Sequence, residues 1–275
     1  MEFAVVPEDP AIKQSDAAWD HVVSALNIQV TQQVAPAWQL QATVSSYASP
    51  AAAPSSAIPI VIMKSPPPNV EGCHRWKDNQ ASAVVRWHPN GAWSVAASHE
   101  IVETLVDSTL AATKRGPNPN GAPGLVDFLV EICDPCAGRT YTLPGSDIAL
   151  SDFCWPAYYD KDGAAPFTQC KQSLHLWELG KQVSGSGYVT WSGSGGWLQL
   201  MDGSIRGPVS KDELLANSLK LGTRGAVDRF NQFGKPPHLR SKTDARSKRG
   251  KPASARPRAA NRPLAAWVAK LRKRT

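Results

Sequence analysis

The spacing of hydrophobic residues predicts two principal helices. In residues 17–34, apolar side chains recur every three or four positions, which is the period of one helix face: Trp19, Val22, Val23, Leu26 and Val30. Residues 93–107 repeat this period with Val95, Ile101, Val102, Leu105 and Val106. Ser94 or Asn90 is placed to cap the second helix. A further helix is predicted within residues 209–233.

Shorter apolar or alternating runs predict strands between these helices. A strand is expected in each of the ranges 38–47, 58–63, 81–87, 139–143 and 148–153, and a hairpin is expected from 188–191 and 197–201. Residues 125–133 are compatible with a strand or a short helix. Pro59 favours an edge position or a strand start for 58–63.

Composition favours one globular domain, expected to cover residues 1–233. The 275 residues are 42% hydrophobic and include 10 Trp, which suffices for a large core. The sequence contains no apolar run of 18 residues that would predict a transmembrane segment, and no signal peptide is recognised, so a cytoplasmic protein is expected. The odd count of five Cys argues against a disulfide framework.

Charge separates the C-terminal residues from the rest of the chain. Of 30 Lys+Arg and 23 Asp+Glu, 14 basic residues and one acidic residue fall in 235–275, which leaves 16 bases and 22 acids before them. Residues 234–275 are therefore predicted to form a basic, largely disordered tail that ends in a short amphipathic helix at 263–274. Such a tail suits non-specific binding to nucleic acid, an acidic protein or another polyanion.

The candidate chemistry lies on the second predicted helix. His99 and Glu103 are four residues apart and therefore share one face, and Glu100 follows the histidine directly. This spacing is that of the H-E-x-x-H helix of zinc peptidases with Glu103 in place of the second histidine. His99 and Glu103 would be metal ligands, and Glu100 would be the general base that deprotonates water. The competing hypothesis is a solvated helix whose acids face water.

Three residues compete for the role of third ligand. Asp107 continues the four-residue spacing, but eight residues of straight helix span about 12 Å, too far from His99 for one ion. Glu131 and Asp134 are the other two candidates. One histidine with several carboxylates is oxygen-rich, so zinc is favoured by the motif while Ca²⁺ or Mn²⁺ fits the ligands. Cys133 and Cys136 form either a redox pair, half a zinc site or, more simply, two buried thiols.

Several separate segments carry a resemblance to a known family. They are ALNIQV at 25–30 with VAPAW at 34–38, WSVAASHEIVETLVD at 93–107, VEICDPC at 130–136, ALSDF at 149–153 with WPAY at 155–158, and the glycine-rich hairpin at Tyr188. The order S-H-E-x-x-E-x-x-x-D followed by E-x-x-D is similar to that of a family of uncharacterised bacterial and phage proteins with a zincin-like core. The resemblance covers about residues 20–202. The chain departs from that family at Ser108, where proline is usual, and in its proline-rich segment 48–70.

The resemblance implies an α+β, zincin-like fold with a mixed sheet and a central motif helix, and it leaves two functions open. His99, Glu100, Glu103 and Asp107 match the family's motif helix, but the family has no secure activity to carry over. One hypothesis is a metal-dependent hydrolase, specifically a peptidase with a peptide substrate. The alternative is a non-enzymatic structural or interaction protein, associated with phage, in which a degenerate zincin scaffold acts through its basic tail.

Overall fold

The computed structural model describes residues 1–66, 71–77, 80–109, 111–193, 196–201 and 203–207. The helix predicted within 209–233 and the basic tail at 234–275 lie outside these residues. The described residues combine helices with several sheets, which confirms the prediction of a mixed α and β protein. None of their helices has the length and apolar character needed to cross a membrane.

A five-stranded mixed sheet forms the N-terminal half. Its strands are β1 (Glu2–Pro7), β2 (Thr43–Ser46), β3 (Ile58–Met63), β4 (Gly72–Lys77) and β5 (Gln80–Arg86). They are ordered β2-β1-β3-β5-β4. The first four in this order run parallel, and β4 runs antiparallel to β5 at one edge. Since β3 lies between β1 and β5, an edge position for Pro59 is wrong; the proline takes the second position of the strand instead.

Both faces of this sheet are buried. Phe3 and Val5 of β1 pack into the main core with the helices, whereas Ala4 and Val6 pack into a smaller core on the opposite face. Successive side chains of a strand point to opposite faces, so a sheet covered on both sides requires a continuous apolar run. The sequence FAVV at 3–6 is such a run, and sequence analysis did not recognise it as a strand.

Within the described residues, five α-helices, one π-helical turn and one 3₁₀ turn accompany the sheets. They are α1 (Pro10–Ser15), α2 (Trp19–Ile28), a π-helical turn (Gln29–Val34), α3 (Ala35–Ala37), α4 (Ser94–Val106), a 3₁₀ turn (Asp134–Cys136) and α5 (Pro156–Tyr159). The helices predicted at 17–34 and 93–107 are confirmed by α2 with its π-helical turn and by α4.

The C-terminal half of the described chain is built from antiparallel strands. They are β6 (Thr113–Pro117), β7 (Leu125–Leu129), β10 (Tyr188–Gly193), β11 (Gly196–Met201) and β12 (Ser204–Arg206), ordered β12-β11-β10-β7-β6. A separate pair is formed by β8 (Thr140–Thr142) and β9 (Ala149–Ser151). The predicted hairpin, the two short strands and the strands at 58–63 and 81–87 are therefore confirmed, whereas 38–47 yields only β2.

Helix α4 lies between the two halves and is buried on nearly all sides. It packs against β4 and β5 on one side and against β9 on the other. Every residue of α4 except Val95 and Val106 is buried. The predicted caps are wrong: the residue before the helix is Trp93, no side chain caps it, and the Ser94 hydroxyl donates instead to the Ala149 carbonyl at 2.7 Å.

Candidate metal centre

Three segments bring ionisable side chains together beside helix α4. Helix α4 contributes His99, Glu100 and Glu103, strand β4 contributes His74, and the loop that follows β7 contributes Glu131 and Asp134. All six are buried, with between 1% and 5% of their surface exposed. This exposure contradicts the hypothesis of a solvated helix whose acids face water.

Helix geometry sets the first pair of side chains. His99 and Glu103 are one turn apart, so their side chains lie on the same face, and His99 Nε2 is 3.2 Å from Glu103 Oε2. The second Glu103 oxygen, Oε1, accepts the backbone N–H of Cys133 at 3.2 Å. The predicted side-by-side arrangement is thus present, and the loop after β7 fixes the orientation of the carboxylate.

A polar network anchors the helix next to His99. The Ser98 hydroxyl donates to Gln29 Oε1 at 2.8 Å and accepts the backbone N–H of Ser151 at 3.0 Å. Gln29 Nε2 in turn donates to the Ser151 carbonyl at 3.2 Å. Gln29 opens the π-helical turn, a feature that is frequent at functional sites because it re-aims side chains. The network therefore ties α4 to α2 and to β9, and so restricts rotation of α4 beside the ionisable cluster.

The loop after β7 places two acids on different sides of the cluster. Asp134 Oδ1 lies 3.4 Å from His99 Nε2, and Glu131 Oε2 lies 3.6 Å from His74 Nε2. The backbone of this loop is held by Tyr159, whose hydroxyl donates to the Glu131 carbonyl oxygen at 3.1 Å. Each acid therefore faces a different histidine.

Strand β4 brings His74 against the other side of Glu100. Its Nδ1 lies 2.7 Å from Glu100 Oε2 and 3.7 Å from Glu103 Oε2. Gly72 lies two residues before it and so faces the same side of the sheet. A Cβ at Gly72 would lie only 2.7 Å from Glu100 Oε1, so glycine is what lets the carboxylate lie against this strand.

The carboxylates set the protonation of both histidines. Burial alone lowers the pKa of His74, but the hydrogen bond to Glu100 and the charges of Glu131, Glu100 and Glu103 outweigh it and raise that pKa to about 10. For His99, burial is likewise outweighed by Glu103 and Asp134, and the pKa lies well above its ordinary value. The oxygens of Glu103 and Asp134 that stabilise a proton on His99 Nε2 would equally stabilise a metal cation bound to that nitrogen.

The spacing of the ligand atoms suits a divalent cation. Two groups of three each place one ligand atom per residue within 4.8 Å of the others: His99, Glu103 and Asp134, and His74, Glu103 and Glu131. Two ligands about 2.1 Å from one ion at the tetrahedral angle lie about 3.4 Å apart. The separations of 3.2, 3.4 and 3.6 Å match that edge. The donors therefore fit a metal ion with mixed nitrogen and oxygen ligands.

Five of the six predicted site residues meet in this cluster, and Asp107 does not. It follows the last residue of α4, where Oδ1 accepts the Thr109 hydroxyl at 3.0 Å and Oδ2 accepts the Ala112 backbone N–H at 2.8 Å. It belongs to neither metal-compatible group among the described residues. The physical reason is distance along the helix: two further turns carry the residue away from His99. We assign Asp107 to the turn that follows the helix rather than to the metal.

Sequence analysis missed His74. Cys73 and His74 alternate as a strand requires, since Cys73 packs into the small core on one face and His74 faces α4 on the other. Gly72–Lys77 precedes β5 in the chain and pairs with it antiparallel, so its position next to a predicted strand was the available signal. The composition of this run lacks the apolar alternation that marks a half-buried strand, so no pattern indicated a strand with His74 facing α4.

The cysteines play no visible part in ligation. None of the five, all of which lie in the described residues, forms a disulfide; Cys73, Cys133, Cys136 and Cys154 are buried, and Cys170 is half-buried. Burial raises the pKa values of Cys133, Cys136 and Cys154, which keeps these thiols protonated. Within the described residues neither metal-compatible group contains a cysteine. The simplest of the three interpretations, buried thiols beside a turn, agrees with these observations.

No protein-family model matches the chain, and no significant match was found among curated proteins or among solved structures. The resemblance to a zincin-like family therefore stays a prediction.

Proposed function

We propose that this protein is a metal-dependent hydrolase that acts on peptides, built on a zincin-like arrangement of sheet and motif helix. His99, Glu103 and Asp134 would hold the cation, with zinc as the first candidate and Mn²⁺ or Ca²⁺ as alternatives. The observation that carries the proposal is the buried group of these three side chains at ligand-to-ligand separations of 3.2 and 3.4 Å. A cation held there supplies Lewis-acid chemistry, polarising a carbonyl and making water more acidic.

Glu100 is the proton acceptor in this proposal. It follows His99 directly on α4, so it lies beside the ligand pair without belonging to the group that binds the cation. Its Oε2 accepts a hydrogen bond from His74 Nδ1 at 2.7 Å, which fixes the carboxylate. In hydrolysis Glu100 would take a proton from the attacking water and return it to the leaving amine nitrogen.

The position of β4 supports a peptide as the substrate class. This strand is outermost in its sheet, so within the described residues its far edge pairs with no other strand. An exposed strand edge binds an extended peptide through backbone hydrogen bonds. Because Gly72 and His74 of β4 contact Glu100, a peptide paired with this edge would pass the proposed site.

The test compares metal content and hydrolysis in matched variants of the full chain. Wild-type protein purified without chelator should contain metal and cleave quenched-fluorescent peptides from a random library, and a chelator should stop cleavage. Glu100→Gln should retain the metal and lose cleavage, whereas His99→Ala should lose both. Cleavage by Glu100→Gln at the wild-type rate would contradict the role of Glu100, and absence of metal from the wild type would contradict the proposal.

The charge of residues 235–275 favours a second candidate function, non-specific binding to a polyanion. These residues hold 14 Lys+Arg against one acid. Each phosphate contact contributes about −0.9 to the slope of log affinity against log salt concentration on duplex DNA. Deleting 235–275 should abolish salt-sensitive binding in a fluorescence anisotropy titration. Equal binding by full-length and truncated chains would remove this candidate.

A further inference from the structure

We propose that the cluster binds two metal ions, the second held by His74 and Glu131, with Glu103 shared between the two. This inference rests on the proposed function, because the first ion is the one that His99, Glu103 and Asp134 would hold. It adds a ligand, His74, that the H-E-x-x-E motif does not contain, and it assigns Glu131 and Asp134 to different ions rather than to one.

The two histidines lie too far apart in this arrangement to serve one ion. Within the described residues, no group of three ligand atoms that fall within 4.8 Å of one another contains both His74 and His99. Ligands of a single ion with bonds near 2.1 Å can be separated by at most about 4.2 Å. Each histidine instead forms its own group, and Glu103 is the only residue common to the two groups.

His74 is oriented as a metal ligand. A ligating histidine almost always donates its second ring N–H to a carboxylate, a backbone carbonyl or water, which fixes the tautomer and leaves the other nitrogen for the metal. Glu100 Oε2 lies 2.7 Å from Nδ1 and supplies this carboxylate. Nε2 of the same ring is buried, has no hydrogen-bond partner among the described residues, and lies 3.6 Å from Glu131 Oε2. That separation is close to the edge of a tetrahedral ligand set.

The carboxylate of Glu103 lies where it would bridge the two proposed ions. Its Oε2 lies 3.2 Å from His99 Nε2, and one of its oxygens also lies within 4.8 Å of ligand atoms of His74 and Glu131, so one carboxylate faces both proposed ion positions. Its Oε1 is held by the Cys133 N–H, which prevents the carboxylate from turning toward either side. Carboxylates that face two ions recur in hydrolases with paired metals, which stabilise the attacking and leaving atoms together.

The formal charges agree with two ions. Glu100, Glu103, Glu131 and Asp134 carry four formal negative charges when ionised, and all four are buried. One divalent cation beside His99 offsets two of these charges and a protonated His74 offsets a third, whereas two cations offset all four. Buried charges are costly unless they are paired, so this full balance agrees with two ions.

The experiment counts ions per chain and asks whether they are neighbours. Full-length protein is equilibrated with Zn²⁺, freed of unbound ion by gel filtration and measured by inductively coupled plasma mass spectrometry. We expect two equivalents in the wild type and one in His74→Ala. Glu131→Gln, which keeps the side-chain shape, should also bind one. His88→Ala is the matched control, since His88 is partly exposed and pairs with Glu71 away from the cluster, and it should bind two.

A second measurement uses Mn²⁺ as the probe. Two Mn²⁺ ions bridged by one carboxylate give a magnetically coupled electron paramagnetic resonance spectrum, and His74→Ala should give the six-line spectrum of an isolated ion. One equivalent in the wild type, or two in His74→Ala, would overturn the second ion while leaving the first in place. No bound ion in folded wild-type protein would overturn the proposed function itself.

Discussion

The contact between Gly72 and Glu100 gives the sharpest test of how strand β4 supports the cluster. Alanine at position 72 would place its Cβ 2.7 Å from Glu100 Oε1, 2.9 Å from Cγ and 3.2 Å from Cδ. Optimal contacts between such atoms are about 3.5–4.0 Å, so the carboxylate must retreat by about 0.8 Å. A retreat of that size would lengthen the 2.7 Å contact with His74 to about 3.5 Å, beyond a normal hydrogen bond.

The free energy of unfolding should fall accordingly. Overpacking a buried site costs about 1–3 kcal/mol, and losing a hydrogen bond to a charged group costs about 1.5–3 kcal/mol. Since part of the strain is relieved by the same movement that breaks the hydrogen bond, we expect a total loss of about 2–4 kcal/mol for Gly72→Ala. Urea unfolding followed by tryptophan fluorescence, with chelator present, measures this loss in the metal-free protein, with an unchanged dependence on urea concentration.

Two backgrounds separate the steric cause from other causes. The three nearest atoms all belong to Glu100, so in Glu100→Ala the added Cβ has room and Gly72→Ala should be neutral or stabilising by about 0.4–1 kcal/mol. In Glu100→Gln the side chain keeps its size, so the cost should persist. An equal loss in the wild type, in Glu100→Ala and in Glu100→Gln would refute the contact as the reason for glycine at position 72.

Three further predictions concern the hydrogen bonds to Asp16, the reactivity of the thiols and stabilisation by metal. Asp16 Oδ2 accepts the indole N–H groups of Trp93 at 2.8 Å and Trp87 at 3.2 Å, so Asp16→Ala should lower the free energy of unfolding by about 2–5 kcal/mol in urea titrations, and Asp16→Asn by less. Iodoacetamide at pH 8 should label Cys170 at most, and slowly, because the pKa of its thiol is raised to about 12; rapid labelling of two or more thiols in folded protein would contradict the burial of the others. Zn²⁺ at one hundred times its dissociation constant should raise the free energy of unfolding by about 2.7 kcal/mol for each occupied site. Differential scanning calorimetry should show a melting temperature that is higher by about 5–11 °C per site, and no such rise in Glu103→Ala.

Local pattern was sufficient to predict α4 and the candidate ligands that it carries. His99, Glu100 and Glu103 fall within one turn and a half of helix, and helix period alone decides that His99 and Glu103 share a face. Strands β3 and β5 were also predictable, because their apolar runs are bounded by proline and turn residues. In each of these cases the information that fixes the structure lies within about a dozen residues.

Long-range pairing was not predictable in the same way. His74 reaches Glu100 because β4 folds back on β5 as an antiparallel edge strand, and that pairing places His74 opposite Ala83. The choice between Asp107 and Asp134 as a ligand depended likewise on where the loop after β7 passes α4. The spacing along the chain correctly argued against Asp107 as the third candidate ligand. Only the packing of the loop against His99 distinguished Asp134 from Glu131 in that role.

The burial of α4 changes how its acids must be interpreted. On an exposed helix, His99, Glu100 and Glu103 would be ordinary solvated side chains, and the motif would carry little weight. Here Glu100 and Glu103 are each 2% exposed, and Glu131 and Asp134 are brought against the same cluster from another segment. Ionised carboxylates at such burial need protons or cations close by, since desolvation otherwise destabilises the fold. The two histidines supply protons in the metal-free state, and they are also the ligands that metals prefer in exchange for those protons. The proposed metal binding and the stability of the fold would thus depend on one cluster, so a variant that removes its side chains should change both.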